Sequence, residues 1–201
     1  SDCIIENNYK GIEVRNAPFS IKNTVVKDNN RLGVYLLDCA DSSFNNNLIM
    51  NNGDSGLYLN SCSNASVLNN TLSNNQGQGI DLLDTKGIIK FNRIWGNLKN
   101  GIRLDKNKNL LITNNRISTN FSNGIELLSG QESTLPDYEI GTNQIFLNRD
   151  YGLHNLNQAT IEAVRNWWGD SDGSGPHHPS LNPNATGERI SAHVSFDPFL
   201  T

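Results

Sequence analysis

The 201 residues fit a single domain, since a repeat array counts as one unit however many copies it contains. The net charge of -4 and an isoelectric point near 5.5 argue against a nucleic-acid-binding surface, which is usually basic. No apolar run approaches the roughly 18 residues of a membrane span, and no charged-then-apolar leader opens the chain, so no membrane span is expected.

A unit that opens with glycine recurs along most of the chain. Each copy begins Gly-apolar-x-apolar, carries an asparagine near its middle and closes on a second asparagine, as residues 33–55, 56–78 and 79–100 illustrate. The copies begin at Gly11, Gly33, Gly56, Gly79, Gly101, Gly124 and Gly152. Their spacings are 22, 23, 23, 22, 23 and 28 residues, and such a regular period is typical of a solenoid.

Residues 1–10 resemble the back half of a unit, because Ile5 occupies the position of Leu72 and Asn8 that of Asn75. The chain would then start within a coil. Because solenoids need polar terminal caps, we expect a longer parent protein.

Apolar and polar residues alternate after each glycine, which predicts a strand with one buried face. The first inward column is Ile12, Val34, Leu57, Ile80, Ile102, Ile125 and Leu153, and the second is Val14, Leu36, Leu59, Leu82, Leu104 and Leu127. Two further apolar clusters per unit predict three short strands in each coil, hence an all-β parallel β-helix of about seven coils over residues 1–168. A leucine-rich repeat has a similar period, but these units lack its apolar-x-x-apolar approach and show no helical stripe.

Two asparagine columns are expected at the corners of the coils. One contains Asn47, Asn70, Asn92, Asn115, Asn143 and Asn166, and the other Asn8, Asn52, Asn75, Asn97, Asn120 and Asn148. Amides stacked at strand spacing can hydrogen-bond along the axis, and asparagine tolerates left-handed corner conformations. We interpret both columns as structural.

Cys39 and Cys62 each follow their glycine by six residues, so the β-helix would stack them. Cα atoms ~4.8 Å apart fall within the range for a disulfide, which would add ~3 kcal/mol of stability. Two small buried thiols explain the same spacing equally well. Cys3 has no partner in this register, so the cysteines do not settle the redox compartment.

The repeat changes twice toward the C-terminus. Between Leu128 and Tyr138 the unit gains about five residues, which predicts a loop bulging from one coil. After Trp167 and Trp168 a run rich in Gly, Pro and Asn cannot continue the coils, so we interpret residues 169–201 as a C-terminal capping segment. Adjacent histidines in this segment, at 177 and 178, have no third ligand in view, and neither a metal site nor a cofactor is predicted.

The repeated G-[IVL]-x-[VL] opening with N-x-apolar-x-x-N closings resembles the right-handed parallel β-helix repeat of the pectate-lyase-like superfamily. The ending NWWG…SGPHHPSLNP…FDPFL resembles the end of β-helix domains in large bacterial and archaeal surface proteins. The resemblance implies a right-handed β-helix. It implies no single activity, because the superfamily includes polysaccharide lyases, hydrolases, epimerases, adhesins, tailspikes and a copper-site maturation family. The catalytic signatures of its alginate epimerases and polygalacturonases are missing from the sequence.

An outward column, two residues after each glycine, is the best candidate site. It reads Glu13, Tyr35, Tyr58, Asp81, Arg103, Glu126 and His154. For an enzyme, Asp81 and Glu126 would serve as acid and base, with Arg103 between them steering a uronate or stabilising charge. The simpler interpretation is a charge ladder that pairs across neighbouring strands. Tyr35, Tyr58 and His154 are the candidate glycan contacts, with the tyrosines as a stacking platform.

Two functions remain open from the sequence. The first is a non-catalytic structural or adhesive module of a secreted, cell-surface or surface-layer protein, with a polysaccharide or other surface-protein copies as partners. The second is a polysaccharide-active enzyme, a lyase, hydrolase or epimerase, using the carboxylate and arginine ladder. Copper handling is disfavoured, because Cys3, Met50, His154 and His193 fall on different faces and turns. The expected location is extracellular or at the cell surface.

Overall fold

The computed structural model describes residues 2–128 and 137–201, and no residue within these ranges is helical. No helix in this part of the chain is long and apolar enough to cross a membrane. The strands are β1 Ile4–Glu6, β2 Ile12–Arg15, β3 Ser20–Lys22, β4 Val25–Lys27, β5 Val34–Leu37, β6 Ser43–Asn45, β7 Leu48–Met50, β8 Leu57–Asn60, β9 Ala65–Leu68, β10 Thr71–Ser73, β11 Ile80–Leu83, β12 Gly87–Lys90, β13 Arg93–Trp95, β14 Ile102–Asp105, β15 Leu110–Thr113, β16 Arg116–Ser118, β17 Ile125–Leu127, β18 Tyr138–Gly141, β19 Gln144–Phe146, β20 Leu153–Asn155, β21 Ile161–Glu162 and β22 Val194–Ser195.

Three parallel sheets run the length of the solenoid. Sheet A has the order β1-β4-β7-β10-β13-β16-β19, sheet B the order β2-β5-β8-β11-β14-β17-β20, and sheet C the order β18-β15-β12-β9-β6-β3. Every third strand is therefore a neighbour, and Leu82 pairs in register with Leu59 on one side and Leu104 on the other. The predicted all-β, right-handed parallel β-helix is confirmed.

The core lies inside the coil and consists of the predicted apolar columns. From the second coil onward both inward columns of sheet B are buried, and so are the inward residues of sheet A, such as Ile49 and Ile94. Ile12 and Val14 are only partly buried and pack against this core. Burial alternates with period two in strands such as β8 and β14, so the opposite face of each strand points outward, although some outward residues, such as Asp81, are covered by their neighbours.

Both asparagine columns form hydrogen-bonded ladders. Each asparagine except the last of its ladder, Asn148 or Asn166, donates its backbone N–H and its side-chain Nδ2 to the Oδ1 of the asparagine one coil later. Asn75 Oδ1, for example, accepts from Asn52 N at 3.1 Å and from Asn52 Nδ2 at 3.0 Å. Asn75 Nδ2 also donates to the carbonyl of Ile49. Asn29 joins the second ladder between Asn8 and Asn52, a member that the sequence reading omitted.

The ladder asparagines do not themselves adopt the left-handed conformation, contrary to the expectation from sequence. The residue before each one does, as at Asn69 with φ 56° and Asn74 with φ 54°. Leu147 takes the same conformation with φ 57°. This preceding residue turns the corner, and the turn aims the following amide into the coil.

The repeated glycines permit close packing between coils and at the corner. A Cβ added to Gly79 would lie 2.6 Å from Ile94 Cγ2, 2.7 Å from Gly101 O and 2.9 Å from Asn97 Nδ2. Gly33 and Gly101 meet the equivalent carbonyl and ladder amide. Any side chain at this position would push the backbone off the ladder.

Residues 169–201 contain loops and the last strand, β22, which pairs with β21. Trp168, Ile190, Val194 and Phe196 from this end of the chain are buried with the core. The capping role of residues 169–201 stays a prediction. The loop predicted between Leu128 and Tyr138 lies mostly outside the described residues, since these end at 128 and resume at 137.

Candidate functional site

The outward column lies on the outer face of sheet B. The strand pairing places its members directly opposite one another, as in Tyr35 with Tyr58, Asp81 with Arg103, and Glu126 with His154. Because the neighbouring residues on each strand are buried in the core, these side chains must point out of the coil. The geometry predicted for the column is confirmed, while the roles predicted for its residues stay predictions.

One end of the column is aromatic. The rings of Tyr35 and Tyr58 stack with centroids 5.3 Å apart and an interplanar angle of 30°. Lys10 Nζ and Arg15 Cζ lie 5.3 and 5.6 Å from the centre of the Tyr35 ring. Burial raises the pKa of Tyr58, and the nearby Asp81 raises it further, so its hydroxyl stays protonated. These two rings form a flat amphipathic platform.

The centre of the column is an ion pair between Asp81 and Arg103. Arg103 Nε and Nη2 each donate to one carboxylate oxygen of Asp81 at 2.8 Å, in the two-pronged geometry that guanidinium favours. The Asp81 side chain is only 7% exposed. Burial raises the pKa of Asp81, and Arg103 offsets part of this rise. Burial would lower the pKa of Arg103, but the pair with Asp81 outweighs burial and raises it.

Glu126 is held by amides rather than by Arg103. Asn100 Nδ2 donates to Glu126 Oε2 at 2.9 Å, and Asn123 Nδ2 donates to Glu126 Oε1 at 3.0 Å. His154 Nδ1 lies 3.8 Å from Glu126 Oε1. Each carboxylate oxygen of the predicted acid and base pair therefore already accepts a hydrogen bond from the protein.

A second line of residues, each directly before a repeat glycine, supports the column. We call it the flanking column: Lys10, Leu32, Ser55, Gln78, Asn100, Asn123 and Tyr151. Its central members form a third ladder, in which Asn100 N donates to Gln78 Oε1 and Asn123 N donates to Asn100 Oδ1. The sequence reading missed this line because its residue types vary. Its fixed position one residue before each glycine was the available signal.

The other end of the column is also aromatic and basic. The His154 ring stacks on Tyr151 of the flanking column, with centroids 4.5 Å apart and an angle of 8°. Arg189 lies 4.5 Å from the centre of the Tyr151 ring and donates to its hydroxyl at 3.0 Å. The face of sheet B therefore has an aromatic surface at each end and a hydrogen-bonded, charged centre.

The stacked cysteines are free thiols in the structure, which is the second of the two arrangements expected for them. Cys39 Sγ donates to the carbonyl of Leu37 at 3.3 Å, and Cys62 Sγ donates to that of Asn60 at 3.4 Å. Burial raises the pKa of Cys62, which favours the thiol over the thiolate. Both side chains belong to the core rather than to the outer face.

Comparison with known proteins places the chain in a family. The family described as "Periplasmic copper-binding protein (NosD)" matches residues 1–167. The chain belongs to the NosD family. No curated protein sequence matches this member of the family.

Among solved structures, this NosD-family chain is similar to the periplasmic alginate epimerase AlgG, with a TM-score of 0.68 and 16% identity over 96% of this chain and 49% of that one. It is also similar to the pectate lyase Pel9A, with a TM-score of 0.60 and 16% identity over 96% of this chain and 55% of that one. At this identity the likeness shows the fold alone, which confirms the predicted pectate-lyase-like resemblance. The chain spans about half the length of these enzymes.

The family description mentions copper. Copper binding needs thiolate, thioether or imidazole ligands close together. Within residues 2–128 and 137–201, no three His, Cys, Asp or Glu side chains are grouped to hold a metal ion. The stacked thiols of Cys39 and Cys62 are buried and hydrogen-bonded to backbone carbonyls. The residues described do not fit a copper site.

Proposed function

We propose that this NosD-family chain is a non-catalytic, glycan-binding module of the cell envelope, which holds an extended neutral polysaccharide along the outward column of sheet B. The observation that carries the proposal is that both carboxylates of the column are engaged by fixed partners. Asp81 is bound by Arg103, and Glu126 by Asn100 and Asn123. The periplasmic family and the periplasmic epimerase among the similar structures support the location.

The charge of the column favours a neutral sugar chain over a uronate. Arg103 is occupied by Asp81, whereas Glu126 has amide and histidine neighbours and, within residues 2–128 and 137–201, no guanidinium partner. Glu13 pairs with Lys10 and Arg15 at the first coil. A carboxylated sugar at the centre of the column would meet Glu126 and would be repelled. Neutral hydroxyls can accept from the amides and donate to the carboxylate.

The aromatic ends suit the faces of sugar rings. The Tyr35–Tyr58 pair gives a flat surface at one end, and the Tyr151–His154 pair gives another at the far end. Tyrosine supplies apolar area and a polar edge with little loss of side-chain entropy. Because the first pair lies on sheet B and the second combines His154 of sheet B with the adjacent Tyr151, an extended chain parallel to the solenoid axis would contact both.

Catalysis is disfavoured by the same contacts. A general acid or base must reach the proton it transfers and must exchange it during turnover. Asp81 would have to leave a two-pronged ion pair, and Glu126 would have to leave two amide donors. The competing proposal, a polysaccharide-active enzyme using Asp81, Arg103 and Glu126, draws support from the likeness to an epimerase and a lyase.

The test uses a panel of neutral and uronic oligosaccharides with titration calorimetry and an assay for new reducing ends or unsaturated products. We expect a neutral chain to bind without turnover. Replacing both column tyrosines, Tyr35→Ala with Tyr58→Ala, should weaken that binding about tenfold. Tyr9→Ala is the matched control, because Tyr9 is an exposed tyrosine that contacts Arg31 and is not a member of the column. Turnover abolished by Asp81→Asn would overturn the proposal in favour of the enzyme, and unchanged affinity in the double variant would remove the column as the site.

A further inference from the structure

A basic and aromatic cleft lies on the outer face of sheet A, away from the outward column. It is lined by Arg93, Trp95, Arg116, Ser118 and Thr119 and has a volume of about 170 Å³. The lining residues come from β13 and β16, neighbouring strands that pair in parallel. Ile94 and Ile117 between them are fully buried, so the residues on either side of each isoleucine point outward.

Two arginines of like charge lie directly opposite each other in this cleft. Arg93 and Arg116 are partners in the strand register, which places their Cα atoms ~4.8 Å apart. Like charges in this position destabilise a sheet. Neither arginine forms an ion pair with a carboxylate among residues 2–128 and 137–201. An anion bound between the two guanidinium groups would relieve this repulsion.

The neighbouring strands of sheet A add no further charge to the cleft. Over the five strands β7, β10, β13, β16 and β19, Arg93 and Arg116 are the charged residues, and the rest are apolar, hydroxyl-bearing or amide. The chain as a whole has a net charge of -4, so the basic patch stands against an acidic background. An anion approaching this face is therefore attracted locally.

One arginine is already oriented. Arg116 Cζ lies 4.6 Å from the centre of the Phe146 ring, and Arg116 Nη1 contacts Gln144 Oε1 at 3.4 Å. Stacking on an aromatic ring fixes the guanidinium plane and leaves the N–H groups at its edge free to donate to a planar anion. Trp95 is 39% exposed on the same strand as Arg93, so its ring offers an apolar surface beside the two charges.

We propose that this cleft binds the carboxylate of an acidic sugar, a uronate unit of an anionic polysaccharide, with the arginine pair on the carboxylate and Trp95 against the sugar ring. A carboxylate matches the planar fork of arginine. Charge alone would suit any anion, but the adjacent tryptophan favours one that carries an apolar ring face. The site is separate from the outward column and does not depend on the function proposed for it.

The experiment measures binding of a uronic acid oligosaccharide by titration calorimetry, beside the same chain with its carboxylates reduced to alcohols and a polyphosphate of similar length. We expect the uronate chain to bind with an affinity that falls as salt rises, and the reduced chain to bind at least tenfold more weakly. The double variant Arg93→Gln with Arg116→Gln, and separately Trp95→Ala, should each lower uronate affinity at least fivefold.

The matched control is Lys22→Gln with Lys86→Gln, which removes the same charge from exposed positions on or beside sheet C. It should leave uronate affinity within twofold of the parent. The cleft variants alter exposed residues, so thermal unfolding should confirm that they fold. Equal affinity for polyphosphate, unchanged binding by Trp95→Ala, or an equal loss in the lysine control would each overturn the proposal. Because Tyr35 and Tyr58 are on another sheet, their variants should leave uronate binding intact even if the column binds no glycan.

Discussion

The second asparagine ladder and the outward column run the same length of the solenoid, and each takes one residue from every coil. The ladder repeats one residue type with one hydrogen-bond pattern, whereas the column changes residue type at nearly every coil. Beyond the exposed Asn8 the ladder is buried and must satisfy amides that cannot reach water, while the column lies on the outer face, where every member except Asp81 is at least partly exposed. Stability is therefore concentrated where the sequence repeats, and the recognition chemistry that we propose lies where the sequence varies.

The largest effect should follow from breaking the ladder at its centre. Asn75→Ala removes the acceptor for Asn52 N and Nδ2 and the donor to Ile49 O. Buried groups left without partners cost about 1–3 kcal/mol each, so the free energy of unfolding should fall by about 4 kcal/mol. Chemical denaturation measures the change. Gln76→Ala, at the exposed neighbouring position, is the control and should have little effect. Equal losses at both positions would contradict the contrast between ladder and surface.

A somewhat smaller loss of stability is expected at the repeat glycines, which allow neighbouring coils to pack closely. Gly79→Ala would place a Cβ 2.6 Å from Ile94 Cγ2 and 2.7 Å from Gly101 O, which forces the backbone to shift. Overpacking of this kind costs about 1–3 kcal/mol, measurable as a lower denaturation midpoint. Gly141→Ala is the comparison, because its added Cβ would meet the Val164 carbonyl oxygen at 3.0 Å and no closer atom. A tolerated Gly79→Ala would show that the glycine column is not required for packing.

The third effect is a pH dependence of stability at the end of the second ladder, where the last asparagine donates to the carboxyl group of Glu188. Glu188 Oε1 accepts from Asn148 N at 2.7 Å, in the position that an asparagine oxygen fills elsewhere. Burial raises the pKa of Glu188 to about 7 from an ordinary value of 4.5. Because the folded-state pKa is raised, the stabilisation is complete below about pH 4.5 and is lost as the pH rises through about 7.

Glu188→Gln keeps an acceptor for Asn148 and cannot ionise. Between pH 5 and 8, the wild-type free energy of unfolding should therefore fall relative to that of the variant by on the order of 2 kcal/mol. Urea denaturation at several pH values measures the difference. Parallel curves for the two proteins would show that Glu188 does not titrate in this range.

The smallest effect should be a gain in the free energy of unfolding, from a substitution at the left-handed residue that precedes a ladder asparagine. Leu147 is 73% exposed and has φ 57°, a conformation that costs an ordinary residue about 1–2 kcal/mol and asparagine less. Leu147→Asn should therefore raise the free energy of unfolding by about 0.5–1 kcal/mol. Leu98→Asn is the control, since Leu98 is also exposed but lacks the left-handed conformation. Equal changes in the two variants would assign the effect to polarity rather than to the corner.

The inside of the fold was predictable because its residue types repeat. The period of the glycines and the alternation around Leu59 and Leu82 fix which residues become neighbours one coil apart. The flanking column was missed because Gln78, Asn100 and Asn123 act through their contacts rather than through a shared residue type. Corner conformations were assigned one residue too late, because sequence does not show which of two adjacent asparagines turns the chain.

The arginine cleft shows a different limit of sequence reading. Arg93 and Arg116 are 23 residues apart, so their stacking follows from the repeat. The orientation of Arg116 on Phe146 requires coordinates, because residues 116 and 146 belong to strands separated by an enlarged unit. Repeat spacing therefore predicts which residues lie opposite each other on neighbouring strands. Side-chain contacts decide which of those pairs form a site.

Asn115 and Asn120 lie 28 residues before their ladder partners, whereas the other members lie 21 to 23 residues before theirs, yet all make the same paired hydrogen bonds. The corner hydrogen bonds therefore form once in every coil, whatever the number of residues in that coil. A protein built on this rule can absorb an insertion in one turn, or duplicate a whole turn, without rebuilding the turns on either side. The length of the solenoid and the chemistry of its surface can therefore evolve separately.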